Sequence, residues 1–131
     1  MTLIVPFDGS ELAEAALARA TAFGNVFDED VLAVSVIPRG NADYARERGW
    51  IGRDEEFDLE SVVSTLHVQV TDLSPYANFR HKVVGRYAPS GSIARRLRNV
   101  AREEDASMVF IGSENAGHIV SAGGRGGEKG G

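Results

Sequence analysis

Three continuous apolar stretches, separated by segments with helical spacing, constrain this sequence more than any other feature. They are TLIVPF at residues 2–7, DVLAVSVIP at 30–38 and SMVFIG at 107–112, and FRHKVVG at 79–85 is a weaker strand candidate. Apolar runs that do not alternate are typical of strands buried on both faces. Helices between such strands indicate right-handed crossovers. The sequence therefore predicts a doubly wound, open α/β sheet of about four parallel strands.

The segments between these strands have the apolar spacing of amphipathic helices. In SELAEAALARATAF, either Asp8 or Ser10 could cap the start, and Gly24 stands where a helix would end. The segment at 58–74 has apolar residues three and four positions apart, although part of it also alternates as a strand would. Its place between two strands favours a helix. The segment at 89–105 is predicted to be a third helix.

In two regions the apolar residues lack the regular spacing of a helix or a strand. Residues 39–57 carry mixed charge and predict a surface excursion, which Trp50 and Ile51 are expected to attach to the domain by packing. At the C-terminal end, six of the last nine residues are glycine, a composition that resists regular structure. We therefore expect a folded domain over 1–120 and a glycine-rich tail over 121–131, with no fifth strand.

Composition and motifs exclude several classes of function. The chain has no cysteine, which rules out disulfides and thiol nucleophiles, and its net charge of −5 disfavours broad nucleic-acid binding. No apolar run reaches the roughly 18 residues that would span a bilayer, and no basic leader precedes TLIVPF. Walker, G-x-G-x-x-G and G-x-S-x-G motifs are missing, and the histidines lack metal-ligand spacing. We expect a non-catalytic cytoplasmic protein without nucleic-acid or membrane partners.

A ligand site is expected beyond the carboxyl ends of the strands, where open parallel sheets bind their ligands. Asp8 follows the first strand, and its carboxylate could accept hydrogen bonds from an adenine amine or a ribose hydroxyl, or could cap the next helix. Gly112 and Ser113 follow the fourth strand and could bind phosphate, or form an ordinary turn. The residues alone leave both alternatives open.

Residues 2 to about 113 resemble the universal stress proteins. The resemblance is carried by LIVPFDGSELAEAALARA, by VLAVSVIP and by VVGRYAPSGSIARRLRNVAREEDASMVFIGS. It implies a non-catalytic, stress-response regulatory domain that binds an adenine nucleotide weakly. The nucleotide would be ATP or AMP, with Mg²⁺ if it is ATP. The alternative is a protein-interaction or dimerisation module of the same family that binds no nucleotide.

The resemblance also implies the position of the nucleotide site. In the family members that bind nucleotide, an aspartate after the first strand and a valine at the end of the second contact adenine, and here these are Asp8 and Val36. Ribose and phosphates lie on a loop after the fourth strand. The cofactor-binding residues implied for this chain are Pro6, Asp8, Val36, Gly112, Ser113, Asn115 and Gly117.

The phosphate loop of this chain departs from the family pattern G-x2-G-x9-G-[ST]. Counted from Gly112, the second glycine is replaced by Asn115 and the third by Arg125. Another register uses Gly117 as the second glycine but places Glu128 where a serine or threonine belongs. The usual fifth strand, through which family members dimerise, is also expected to be missing. A homodimer stays open, but not through that interface.

Overall fold

The computed structural model describes residues 1–112 and 119–121, and within them the four predicted strands and three predicted helices follow one another in the predicted order. The strands are β1 (Thr2–Pro6), β2 (Asp30–Pro38), β3 (Asn78–Val84), β4 (Ala106–Phe110) and β5 (Ile119–Ser121). The helices are α1 (Glu11–Phe27), α2 (Ala42–Glu47), α3 (Leu59–Leu73) and α4 (Ser90–Glu103). The sheet order is β3-β2-β1-β4-β5, and the first four of these strands are parallel. The predicted doubly wound α/β fold is confirmed.

The expectation that no fifth strand forms needs a correction. β5 pairs antiparallel with β4, and Ile119 stands opposite Phe110. Three residues are too few to show a strand period in the sequence, but the open edge of β4 offers backbone groups with which a short segment can pair. Within the described residues, no parallel strand occupies this edge. Residues 122–131 lie outside the described residues, so the glycine-rich tail and the domain boundary stay predictions.

Alternate residues of the central strands face two different helical layers. Leu3 and Val5 of β1 pack in a core shared with α1 and α3, whereas Ile4 packs against Leu97 and Val100 of α4. β2 lies between two strands and beneath both layers, and it is buried from its second residue to its last. This double burial explains why the apolar runs in the sequence do not alternate.

The start of α1 agrees with one of the two predicted caps, whereas its end differs from the prediction. The helix is capped by Ser10, whose Oγ accepts a hydrogen bond from the Ala13 N–H at 3.1 Å. The helix continues through Gly24 and ends at Asp28, which has a φ of 57°. A Cβ atom on Gly24 would lie 2.7 Å from the Glu29 carbonyl oxygen. Gly24 is therefore explained by a close backbone approach and not by a helix end.

The excursion at 39–57 contains a helix, α2, that the sequence analysis did not predict. Asn41 caps it, because its Oδ1 accepts a hydrogen bond from the Tyr44 N–H at 3.0 Å. The predicted packing role of Trp50 and Ile51 is confirmed, since each side chain is only 6% exposed.

For the segment at 58–74, the helical alternative is confirmed, because α3 occupies most of it. None of the helices in the described residues is long and apolar enough to cross a membrane.

Candidate functional site

A cavity of about 410 Å³ opens at the carboxyl ends of β1, β2 and β4. It lies at the point where the strand order reverses, because β2 and β4 flank β1 on opposite sides. Open α/β sheets bind their ligands at this switch point. The volume is within the range of small-molecule sites, which is roughly 300–1,000 Å³.

The structure brings together the predicted site residues that it describes. Four of the seven line the cavity: Pro6, Asp8, Val36 and Gly112. The other three lie outside the described residues, so their roles stay predictions: Ser113, Asn115 and Gly117. The cavity thus joins residues from the ends of β1, β2 and β4, which are far apart in the sequence.

The turn that carries Asp8 is fixed by several hydrogen bonds. Asp8 Oδ1 accepts from the Ser10 N–H at 3.0 Å, and the Asp8 carbonyl accepts from the indole N–H of Trp50 at 2.8 Å. The Gly9 carbonyl accepts from Gln69 Nε2 at 2.9 Å, and Gly9 has a φ of 82° that favours glycine. Asp8 is therefore not the helix cap. Its carboxylate stabilises the turn through Oδ1, and no donor among the described residues is hydrogen-bonded to Oδ2.

Apolar side chains from two elements line the cavity. Val34 and Val36 project from β2, and Ile93 and Leu97 project from α4. Ser35 lies between the two valines and is fully buried, and its hydroxyl donates to the Phe7 carbonyl at 2.6 Å. That bond ties the end of β1 to β2 and so fixes the distance between Asp8 and the valine wall. Such walls suit a planar aromatic base.

Gly112 closes the cavity where β4 meets the start of α1. A Cβ atom at this position would lie 2.5 Å from the Leu12 carbonyl oxygen and 2.7 Å from the Ala13 nitrogen. Real Cβ atoms do not come so close to backbone, and the neighbours cannot rotate away. Glycine is therefore required here by packing, whether or not a ligand binds.

The lining residues that the sequence analysis did not predict include the two with polar side chains, Tyr44 and Arg48, which lie on and just after α2. The guanidinium carbon of Arg48 lies 3.7 Å from the centroid of the Tyr44 ring, which is a cation–π contact. The Tyr44 ring also lies 5.6 Å from the ring of Trp50. Two local signals could have revealed this helix. One is the capping residue Asn41 three positions before Tyr44, and the other is the i,i+4 spacing of Tyr44 and Arg48.

Tyr44 keeps its proton at neutral pH. Burial raises the pKa of its phenol above 10.0, the nearby Arg48 lowers it, and the Asp8 and Glu47 carboxylates raise it. Burial is the largest of these effects, so the net direction is upward. The phenol is therefore a neutral hydrogen-bond donor on a residue that lines the cavity.

Comparison with known proteins assigns the chain to a family. The family model described as universal stress protein matches residues 1–122. The chain belongs to the universal stress protein family. No curated protein matches it.

Within residues 1–112 and 119–121, no group of three or more histidine, aspartate or glutamate side chains could hold a metal ion.

Solved structures of universal stress proteins have the same fold. One from Burkholderia pseudomallei superposes with a TM-score of 0.55 at 23% identity, covering 87% of this chain and 82% of that chain. One from Archaeoglobus fulgidus superposes with a TM-score of 0.54 at 22% identity, covering 85% of this chain and 73% of that chain. A universal stress protein in complex with cAMP superposes with a TM-score of 0.51 at 16% identity, covering 83% of this chain and 69% of that chain. At these identities the likeness is one of fold.

Proposed function

We propose that this universal stress protein is a non-catalytic, stress-response regulatory domain whose cavity binds an adenine nucleotide. The observation that carries the proposal is the meeting of Asp8, Val36 and Gly112 around one cavity at the switch point of the sheet. A related fold has been crystallised in complex with cAMP, an adenine nucleotide. The proposal assigns no reaction to the cavity, and if ATP binds, we expect Mg²⁺ to accompany its phosphates.

The chemistry of the described lining suits a purine base. The valines of β2 and the apolar side chains of α4 would enclose the faces of the ring. Asp8 would accept a hydrogen bond from the exocyclic amine or from a ribose hydroxyl through Oδ2, because Oδ1 already accepts from the Ser10 N–H. We expect the affinity to be modest, since the glycine loop after β4 departs from the family pattern at Asn115 and Arg125.

Asp8→Ala is expected to weaken binding of AMP at least about tenfold, because a hydrogen bond to a charged group contributes about 1.5–3 kcal/mol. Isothermal titration calorimetry with the full chain measures the effect. Ser10→Ala is the matched control, since it removes one hydrogen bond from the same turn but Ser10 does not line the cavity. It should lower stability by about 1 kcal/mol and leave the affinity unchanged.

The two substitutions separate binding from folding. If Ser10→Ala weakens binding as much as Asp8→Ala does, the loss comes from the turn and not from the carboxylate. If the wild-type chain gives no heat with either AMP or ATP at millimolar concentration, the nucleotide proposal fails. The interaction module without nucleotide would then be the better account.

A further inference from the structure

One positively charged side chain lines the cavity, and the family resemblance assigns it no role. Among the described lining residues, Arg48 is the only basic side chain and Asp8 the only carboxylate. Arg48 belongs to the excursion at 39–57, which the sequence analysis treated as surface structure. Its presence in the lining indicates that the excursion contributes to the site.

The excursion is fastened to the domain on both sides of α2. The Asn41 Nδ2 group donates to the Arg86 carbonyl at 2.8 Å, and the Trp50 indole donates to the Asp8 carbonyl at 2.8 Å. Between them, Ala45 is fully buried in the core. The position of Arg48 is therefore set by the same turn that sets the position of Asp8.

A stacking contact holds the guanidinium of Arg48 in place, and its long contact with Glu47 is too weak to neutralise its charge. Its face stacks on Tyr44, and its side chain is 33% exposed. The contact with Glu47 is long, 4.0 Å from Nη1 to Oε1, and Glu47 is itself largely exposed. A surface pair of that kind contributes little. Stacking occupies the face of the guanidinium, and within residues 1–112 and 119–121 no close hydrogen bond takes up its N–H edge, which can form the paired hydrogen bonds that phosphate oxygens accept.

We propose that Arg48 binds the phosphate of the nucleotide, so that the site prefers an adenine nucleotide with a single phosphate over the uncharged nucleoside. The inference rests on the proposed function. Two observations support it: the guanidinium borders a cavity of about 410 Å³ whose other charged group is Asp8, and the glycine loop lacks the family pattern at Asn115 and Arg125. A cation from α2 would then supply the anion contact that the loop supplies in other members.

Calorimetry with AMP and adenosine on the full chain tests the proposal. The wild type is expected to bind AMP at least about tenfold more tightly than adenosine, and added salt should weaken only AMP binding. Arg48→Gln should remove this preference by weakening AMP alone. Arg48→Lys, which keeps the charge, should retain part of it. Arg53→Gln is the matched control, because Arg53 is an exposed arginine of the same excursion outside the cavity lining.

The possible results distinguish the two proposals. If Arg48→Gln weakens AMP and adenosine equally, Arg48 contacts the base, and the phosphate assignment is overturned while nucleotide binding stands. Equal wild-type affinities for AMP and adenosine overturn the assignment without any variant. If neither ligand binds the wild type, the proposed function and this inference both fail. Far-UV circular dichroism of each variant confirms that the comparison is made on folded protein.

Discussion

Replacement of Trp50 by alanine is expected to lower the free energy of unfolding by about 3–5 kcal/mol and to abolish the proposed nucleotide binding. The indole is 6% exposed, packs beside Tyr44 and donates to the Asp8 carbonyl at 2.8 Å. Truncation leaves a cavity in the core and an unpaired carbonyl in the turn that carries Asp8. It also removes one of the two hydrogen bonds that fasten α2, and with it Arg48, to the domain.

Urea unfolding followed by far-UV circular dichroism measures the loss, since the substitution removes the only tryptophan of the chain. Trp50→Phe keeps an aromatic ring but not the N–H, and it should cost about 1–3 kcal/mol of the total. Tyr76→Ala is the matched control for loss of an aromatic residue, because Tyr76 is 98% exposed. An unfolding midpoint for Trp50→Ala as high as that of Tyr76→Ala would contradict the packing role.

Addition of one methyl group at Gly112 is expected to lower the free energy of unfolding by about 1–3 kcal/mol, as overpacking does elsewhere. The new Cβ would lie 2.5 Å from the Leu12 carbonyl oxygen, so β4 and the start of α1 must move apart. Because Ala13 lies beside Leu12 and also lines the cavity, the same movement should change the cavity and weaken AMP binding.

The matched control for Gly112→Ala is Gly91→Ala. Gly91 lies in α4, and a Cβ atom there would meet nothing within 4 Å. The substitution should stabilise the chain by up to about 1 kcal/mol, since alanine is the better helix former. Chemical denaturation of both variants, with AMP titration of each, makes the comparison. A Gly112→Ala variant as stable as the wild type would show that the close approach at this position is not required.

The parallel sheet could be predicted because its central strands are buried on both faces. That burial makes TLIVPF and DVLAVSVIP continuously apolar, and strands of this kind are read directly from the sequence. Asp8 and Gly112 could be proposed as site residues for a related reason, whereas Val36 was implied only by the family resemblance. They stand at or near strand ends, and the carboxyl ends of parallel strands meet at one edge of the sheet.

Local signals could have revealed α2 as a helix, but they could not predict that Tyr44 and Arg48 line the cavity. α2 has only six residues, too few for an apolar period, and its place depends on a hydrogen bond between Trp50 and Asp8, which are 42 positions apart. The prediction for Gly24 was wrong for a different reason, because the glycine is explained by a backbone approach of Glu29, a near neighbour in the sequence, and not by a helix end. A contact distant in sequence decides the first case, and the path of the backbone just after α1 decides the second.

Two-dimensional amide NMR of the full chain during titration with AMP tests most directly whether this cavity is a nucleotide site. We predict saturable shifts that are largest for the amides of Phe7, Asp8, Val36 and Gly112, which line the cavity, with a smaller set on and after α2 at Tyr44 and Arg48. No saturable shift at millimolar AMP, or shifts confined to residues remote from the cavity, would contradict the assignment of a nucleotide site to the carboxyl ends of β1, β2 and β4.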